Sequence, residues 1–167
     1  DPVYALSEPD GLLAAGGDLT VDWLIEAYAR GIFPWYGPED DHILWWSPSQ
    51  RAVIKPGQMK VSRSLAKRIR NAGFVLTVDQ AFSRVLDHCA APRRDATGTW
   101  ITAEMKTAYL GLHEAGLAHS FETYLEGELV GGLYGVSLGL CFFGESMFSL
   151  VPDGSKIAFQ ALHHHLS

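Results

Sequence analysis

The stretch from Ala118 to Phe148 constrains the fold of this chain more than any other. It holds three runs rich in aromatic and aliphatic residues, Ala118 to Leu125, Leu129 to Val136 and Leu140 to Phe148, broken by Glu126-Gly127 and Ser137-Leu138-Gly139. Such residues favour a pleated, half-buried surface, and short Gly-bearing breaks between the runs make hairpin turns. The prediction is an antiparallel meander of three strands. A meander needs its apolar faces covered, and the sequence before and after it supplies the helices to do so.

The helices carry their own punctuation. Asp18 or Thr20 can cap a helix from Val21 to Arg30, stopped by Gly31, with Trp23, Leu24, Ala27 and Tyr28 spaced as its buried face. Ser62 reads as the cap of a helix from Arg63 to Ala72, ended by Gly73. A strand, Phe74 to Val78, leads to Asp79, which can cap a helix running to Ala90; Pro92 to Gly98 then reads as a loop. Thr102 caps a helix from Ala103 to Ala115, with Glu104 in its first turn, where a carboxylate suits the helix dipole. Asp153-Gly154-Ser155 opens a last helix from Lys156 onward. Helices plus an antiparallel meander give an α+β fold, with a soft boundary near Arg51 between a small N-terminal domain, residues 1–51, and a larger one, residues 52–167.

Composition narrows the function. Of 167 residues, 47% are hydrophobic and 19% charged, which suits a packed core rather than a disordered chain. No apolar run reaches the roughly 20 residues that a membrane helix needs, so no membrane partner is expected. The first residues carry no basic segment followed by an apolar stretch, so a secretory signal is not expected there; the chain lacks an initiator Met, and its natural start is expected upstream. Cys89 and Cys141 follow no metal or redox spacing and read as buried thiols of a reducing cytosol. The net charge of −6 argues against a general nucleic-acid coat, so any nucleic-acid contact must come from a local cluster. There is no phosphate-cradling Gly-rich loop ending in Lys-Ser/Thr and no His-Glu-x-x-His. Gly144-Glu145-Ser146-Met147-Phe148 lacks the second glycine of a nucleophile elbow. His163, His164 and His165 splay around a helix and read as a solvated helix end.

Three features remain for chemistry. Arg63, Lys67 and Arg70, with Arg68 beside them, place positive charge at i, i+4 and i+7 on one helix face, which could meet RNA phosphates or simply be solvated. Trp35 and Trp100 lie in loops, where an indole can stack on an unpaired base or anchor its loop, whereas Trp45 and Trp46 sit in a β-like run and read as core. Glu145 lies in an otherwise apolar strand, a position that is costly for a carboxylate unless it is paired, functional or turned to solvent.

A series of blocks resembles the leucyl/phenylalanyl-tRNA–protein transferase family along essentially the whole chain. They are Glu8-Pro9-Asp10-Gly11-Leu12-Leu13-Ala14 with Gly16-Gly17-Asp18-Leu19, Gly31-Ile32-Phe33-Pro34-Trp35, Trp45-Trp46-Ser47-Pro48 with Arg51, Gly98-Thr99-Trp100-Ile101 and His119-Ser120. The most specific are Leu129-Val130-Gly131-Gly132-Leu133-Tyr134-Gly135-Val136, Phe143-Gly144-Glu145-Ser146-Met147-Phe148-Ser149 and Ser155-Lys156.

The resemblance implies a GNAT-type acyltransferase fold for the larger domain and a cytoplasmic enzyme with no metal or nucleotide cofactor. It implies transfer of Leu or Phe, and less well Met, from Leu-tRNA or Phe-tRNA to proteins with N-terminal Lys or Arg, a mark for degradation under the N-end rule. Carried onto this sequence, it assigns Trp35 and Trp100 to the terminal adenosine of the tRNA and Arg63, Lys67 and Arg70 to its acceptor stem. Leu133, Phe142, Met147 and Phe159 would line the donor side-chain pocket, with Glu145 and Ser146 beside the reacting ester. The family continues past the Ser-Lys helix with a strand carrying Asp-x-Gln, so the larger domain is expected to be C-terminally incomplete. The chief rivals are a CoA-dependent acyltransferase, whose pyrophosphate loop Pro152-Asp153-Gly154-Ser155-Lys156 does not match, and a non-catalytic tRNA- or peptide-binding module.

Overall fold

The computed structural model describes residues 1–92 and 99–167. The loop expected from Pro92 to Gly98 therefore lies, apart from Pro92, outside the described residues. Contacts group the chain into two compact units, one formed by Asp1–Ala52 with Ala90–Glu114, the other by Val53–Cys89 with Ala115–Ser167.

The first unit holds a three-stranded antiparallel sheet of β1 (Leu12–Ala15), β3 (Leu44–Trp46) and β2 (Phe33–Pro34), in that order, with helices α1 (Val21–Tyr28) and α4 (Ala103–Glu114). Thr20, not Asp18, caps α1, its hydroxyl accepting from Trp23 N at 3.3 Å. Thr102 caps α4 by accepting from Met105 N at 3.2 Å. The two helices meet through Leu24, Tyr28, Met105, Tyr109 and Leu112, all buried, and the Tyr28 and Tyr109 hydroxyls share a 2.9 Å hydrogen bond. A phenol pair inside a core satisfies both hydroxyls without a charge. Trp23 departs from the expected buried face: it is 48% exposed. It lies one residue outside the Leu24–Ala27–Tyr28 stripe, and its ring lies instead on the backbone of Gly17 and against Trp45.

The second unit is built on a four-stranded antiparallel sheet, β4 (Val75–Val78), β5 (Ala118–Leu125), β6 (Glu128–Leu138) and β7 (Cys141–Ser149), with neighbours in that order. The meander is as expected, except that β6 runs on through Leu138 and the second turn is Gly139-Leu140. Gly139 at φ 59° supplies the conformation that a two-residue hairpin demands at its first position. Helix α5 (Gly154–His165) covers one face through Ala158 and Leu162 against Phe121 and Leu133. Helix α3 (Phe82–Ala90) covers the other: Phe82 meets Tyr134 edge-on at 5.9 Å, and His88 stacks on Phe148 at 4.5 Å. Helix α2 (Arg63–Asn71) starts at Ser62, which accepts from Leu65 N at 3.2 Å.

Several local expectations are corrected. Asp79 does not cap α3, which begins three residues later; at φ 57° it turns back to β5, accepting from Ser120 N at 2.8 Å and lying 2.7 Å from His119 Nδ1. Cys89 is buried but Cys141 is exposed, because it opens β7 just after an exposed turn. Trp46 is half-buried rather than core, at the point where β3 pairs with the short strand β2. His163 is not simply solvated: its Nε2 accepts from Gly57 N at 3.0 Å and from Met59 N at 3.3 Å.

Candidate active site

Glu145 owes its position to a register shift between β6 and β7. Tyr134 pairs with Ser146 and Gly135 with Gly144, so Glu145 is the extra residue of a β-bulge. A bulge inserts one residue, bends the strand and re-aims the side chains next to it. Glu145 is half-buried there. It is also felt by Tyr134, whose phenol is pushed well above its ordinary range, first by burial, then by the negative charge of Glu145, then by Cys89. Ser146, half-buried, shares the Tyr134 register position.

The four expected pocket residues converge on the α5 side of the sheet. Leu133 belongs to the buried cluster with Phe121, Ala158 and Leu162, and Phe142 and Phe159 pack against that cluster. Phe142 meets Phe121 edge-on at 6.1 Å. Gly135 is what admits it: a Cβ there would lie 2.5 Å from the Phe142 ring and 2.2 Å from the Phe143 carbonyl oxygen. Met147 pairs with Leu133 and is 46% exposed, so the apolar patch reaches solvent at the β7 edge. The bulge thus separates Met147 from Gly144 by two residues instead of one, so that Phe142 and Met147 both stay on the α5 side while Ser146 takes the Tyr134 position on the opposite face.

Trp35 and Trp100 belong to the first unit, and both are tethered to the start of α4. Tyr36, buried, lies 3.3 Å from a Glu104 carboxylate oxygen and 3.5 Å from the Thr102 hydroxyl. Its phenol is raised above the usual value by burial first, with the Glu104 charge adding to this and the Thr102 contact opposing it. Trp100 precedes the cap by two residues, and its carbonyl accepts from Thr102 N at 3.0 Å. Trp35 is half-exposed and meets Trp46 edge-on at 5.7 Å, and Trp46 Nε1 donates to the Trp35 carbonyl at 2.7 Å. Trp35 and Trp100 share no ring contact among the described residues.

On α2, Arg63, Lys67 and Arg70 are exposed along one face. Arg68 is structural by contrast: it lies over the Phe74 ring at 5.8 Å, and its Nε is 3.9 Å from Asp153. Among the described residues, no group of three metal-ligating side chains occurs and no helix is long and apolar enough to cross a membrane.

Sequence reasoning passed over the most buried carboxylate of the second unit. Glu122 on β5 is fully buried, and it accepts from the Thr77 and Ser120 hydroxyls and from Ala81 N. The signal was the one that singled out Glu145, a carboxylate among strand residues. It went unread because Ser120, Glu122 and Thr123 make that run look polar. Beside it, Asp79, just after β4, and His119, near the start of β5, form a half-exposed carboxylate–imidazole pair.

Comparison with known proteins identifies the family. The family model described as leucyl/phenylalanyl-tRNA protein transferase matches residues 53–167, and the model of that family's N-terminal domain matches residues 17–49. The chain is similar to the leucyl/phenylalanyl-tRNA–protein transferase of Azoarcus sp. (strain BH72), 57% identical over 97% of this chain and 68% of the relative. It is 59% identical to that of Chromohalobacter salexigens over 98% of this chain and 64% of the relative. The protein of that name from Chromobacterium violaceum is 56% identical over 99% of this chain and 73% of the relative. The chain therefore belongs to the leucyl/phenylalanyl-tRNA–protein transferase family, a family of aminoacyltransferases. It spans about two thirds of the length of these relatives.

Proposed function

We propose that residues 1–167 carry the aminoacyl-transfer centre of a tRNA-dependent transferase acting on protein N-termini. The observation that carries this reading is the convergence of Leu133, Phe142 and Phe159 on the α5 side of the sheet, with the β-bulge at Glu145 interrupting β7 between Phe142 and Met147. In this reading the cluster and Met147 take the donor side chain, Leu or Phe and less well Met. Trp35 and Trp100 take the terminal adenosine, and Arg63, Lys67 and Arg70 meet the acceptor stem. The acceptors are proteins beginning with Lys or Arg, and the product marks them for degradation in the cytoplasm. The family models divide the chain at 49/53, which favours a small N-terminal domain followed by a larger one; we read the larger one as GNAT-type.

The chemistry needs little from the protein beyond alignment. The α-amine of the acceptor attacks the ester carbonyl, a C–N bond forms, and the C–O bond to the tRNA ribose breaks. The amine loses a proton and the ribose hydroxyl gains one, and because the aminoacyl ester is already activated, no external energy source is required. An α-amino group has a pKa near 8, and a useful fraction is already neutral at physiological pH. Holding the two reactants in line can supply much of the acceleration. Glu145 then acts by orienting the aminoacyl-adenosine through hydrogen bonds. An apolar pocket distinguishes side chains by only about 1–3 kcal/mol per methylene, which is compatible with accepting both Leu and Phe.

The test is transfer of radiolabelled Leu from Leu-tRNA to a peptide beginning with Arg. An N-acetylated peptide serves as blank and a full-length relative as positive control. Label should appear on the free peptide only, and Glu145→Gln should lower the rate at least tenfold at saturating donor. A folded chain that transfers nothing under conditions where the relative does, or a Glu145→Gln variant with full rate, overturns the reading.

A further inference from the structure

The first unit contains a groove that none of the expected site residues lines. Its volume is about 720 Å³, within the range of sites that hold a sizeable ligand. Its wall comes from Leu13, Ala14 and Ala15 of β1, Trp23 and Ala27 of α1, and Trp45 of β3. The floor is fixed rather than fortuitous. Trp45 Nε1 donates to the Gly16 carbonyl at 2.7 Å, and the Trp23 and Trp45 rings stack at 6.3 Å with 30° between planes. Gly17, at φ +87°, leaves the space in which a Cβ would sit 2.7 Å from the Trp23 ring, so the indole lies directly on the backbone. The result is a half-exposed indole held in one orientation, facing an apolar hollow.

The charged residues at the groove define what it can take. They are Asp22 and Glu26, one helical turn apart on α1, and Arg30, in the turn just past its end. Arg30 is bonded to Glu26 through both its carboxylate and its backbone carbonyl, so these two charges answer each other. Asp22, in the first turn of α1, has no ion-pair partner among the described residues, so the groove keeps one net negative charge beside an exposed indole. An indole face attracts a cation lying over it, and an adjacent carboxylate reinforces that choice while repelling phosphate. A long basic side chain can lie its methylenes on the indole and keep its head at the carboxylate, leaving the apolar hollow for a neighbouring aliphatic or aromatic residue.

We propose that this groove binds an extended segment of the acceptor protein, downstream of its N-terminus, through one basic and one large apolar side chain. The groove as a peptide site stands on the geometry above; its occupant being the acceptor rests on the proposed function. Such a contact would raise the affinity for protein acceptors over minimal ones without touching the reacting atoms.

Two measurements test it on the whole chain. The first is binding of a fluorescein-labelled peptide of twelve residues, N-acetylated so that it cannot react, carrying Lys next to Phe near its middle. Anisotropy should show saturable binding that Trp23→Ala weakens at least tenfold. Ala15→Lys, an exposed change at the groove wall, should weaken it similarly, so that a folding defect in the first variant is not mistaken for lost contact. Replacing the peptide's Lys by Gln should weaken binding and remove any further effect of Asp22→Asn. Binding that is indifferent to Trp23 and Ala15, a Trp23-dependent preference for an RNA oligonucleotide, or concentration-dependent dimerisation through this face would each overturn the proposal. The second is transfer kinetics. Trp23→Ala should raise KM tenfold for the long acceptor with kcat unchanged, and leave KM for an Arg-initiated dipeptide as it was. Equal effects on both acceptors, or on neither, refute the acceptor as occupant. Absence of transfer from the unaltered chain refutes the proposed function instead, and the binding experiment still decides the groove.

Discussion

Glu122 offers the sharpest test of how the second unit is held together. Its carboxylate is fully buried and accepts from Thr77 Oγ1, Ser120 Oγ and Ala81 N, which ties β4, β5 and the start of α3 to one side chain. Glu122→Ala removes the acceptor and leaves those donors behind. A buried donor without a partner costs roughly 1–3 kcal/mol. Ser120 is fully buried and pays that in full, whereas Thr77 and Ala81 lie in part-buried surroundings that water can reach. Adding the small cavity gives a loss of about 3–4 kcal/mol. For a chain of this size each kcal/mol moves the melting point by about 2–4 °C, so Tm should fall by roughly 6–16 °C.

Glu122→Gln separates hydrogen bonding from packing. It keeps the shape and one carbonyl acceptor, and the serine and threonine hydroxyls can rotate to accept from its amide group. Its cost should be about 1–2 kcal/mol, clearly below that of the alanine variant. Thermal unfolding followed by circular dichroism at fixed pH reads both, and a Thr77→Val/Glu122→Ala cycle should show coupling of about 0.5 kcal/mol or more. An alanine variant that melts within 2 °C of the parent, or a glutamine variant as damaged as the alanine one, would refute this account.

Three other outcomes are expected. Gly131→Ala should destabilise the second unit by about 3 kcal/mol in the same melts, because the added Cβ would sit 2.4 Å from the Gly154 carbonyl carbon, a backbone atom at the start of α5 that has no rotamer to yield. The Asp153 carboxyl is held below its ordinary pKa chiefly by the hydrogen bond from Lys156, which outweighs an opposing desolvation, with smaller help from the Lys156 and Arg68 charges. Its contribution is present above the unfolded pKa of a carboxyl and lost as pH falls through the folded one, so in an NMR titration Lys156→Ala should move the Asp153 midpoint upward, and high salt should shrink the difference. If the α2 stripe meets an acceptor stem, replacing Arg63, Lys67 or Arg70 by Ala should each lower the slope of log K against log salt for tRNA binding by roughly 0.7–0.9, while a slope that stays put would remove that residue from the interface.

Much of the architecture was legible because its signals are local. Ser62 and Thr102 cap their helices as residues of that type do, and Glu126-Gly127 turns between strands with both residues at positive φ. What escaped depended on partners remote in sequence. Asp79 has the composition of a helix cap, but Ser120 N and His119 offer it a better set of partners, about forty residues away, and it takes those. Trp23 fits the periodicity of a buried stripe, but the buried face of α1 is decided by α4, reached more than seventy residues later, and that face is centred on Leu24 and Tyr28. Periodicity locates a stripe only to within a residue on either side.

The bulge shows the same limit at the candidate site. Strict alternation along 141–149 would set Glu145 and Met147 on one face and Ser146 on the other. One inserted residue breaks that parity: Phe142 and Gly144 keep the α5-side register before it, and Met147 resumes it after it, opposite Leu133. The carboxylate can then stand at the join instead of displacing an apolar side chain from the patch. The flanking Gly144 and the cross-strand Gly135 are the trace this leaves in the sequence, since a strand that must bend sharply and admit a phenyl ring against its neighbour's backbone has no room for a Cβ at Gly135. A carboxylate beside an apolar pocket is costly in a regular strand and cheaper at a bulge. The extra residue of β7 is therefore better understood as the device that keeps Phe142 and Met147 on the α5 face with a carboxylate between them than as a defect in the sheet.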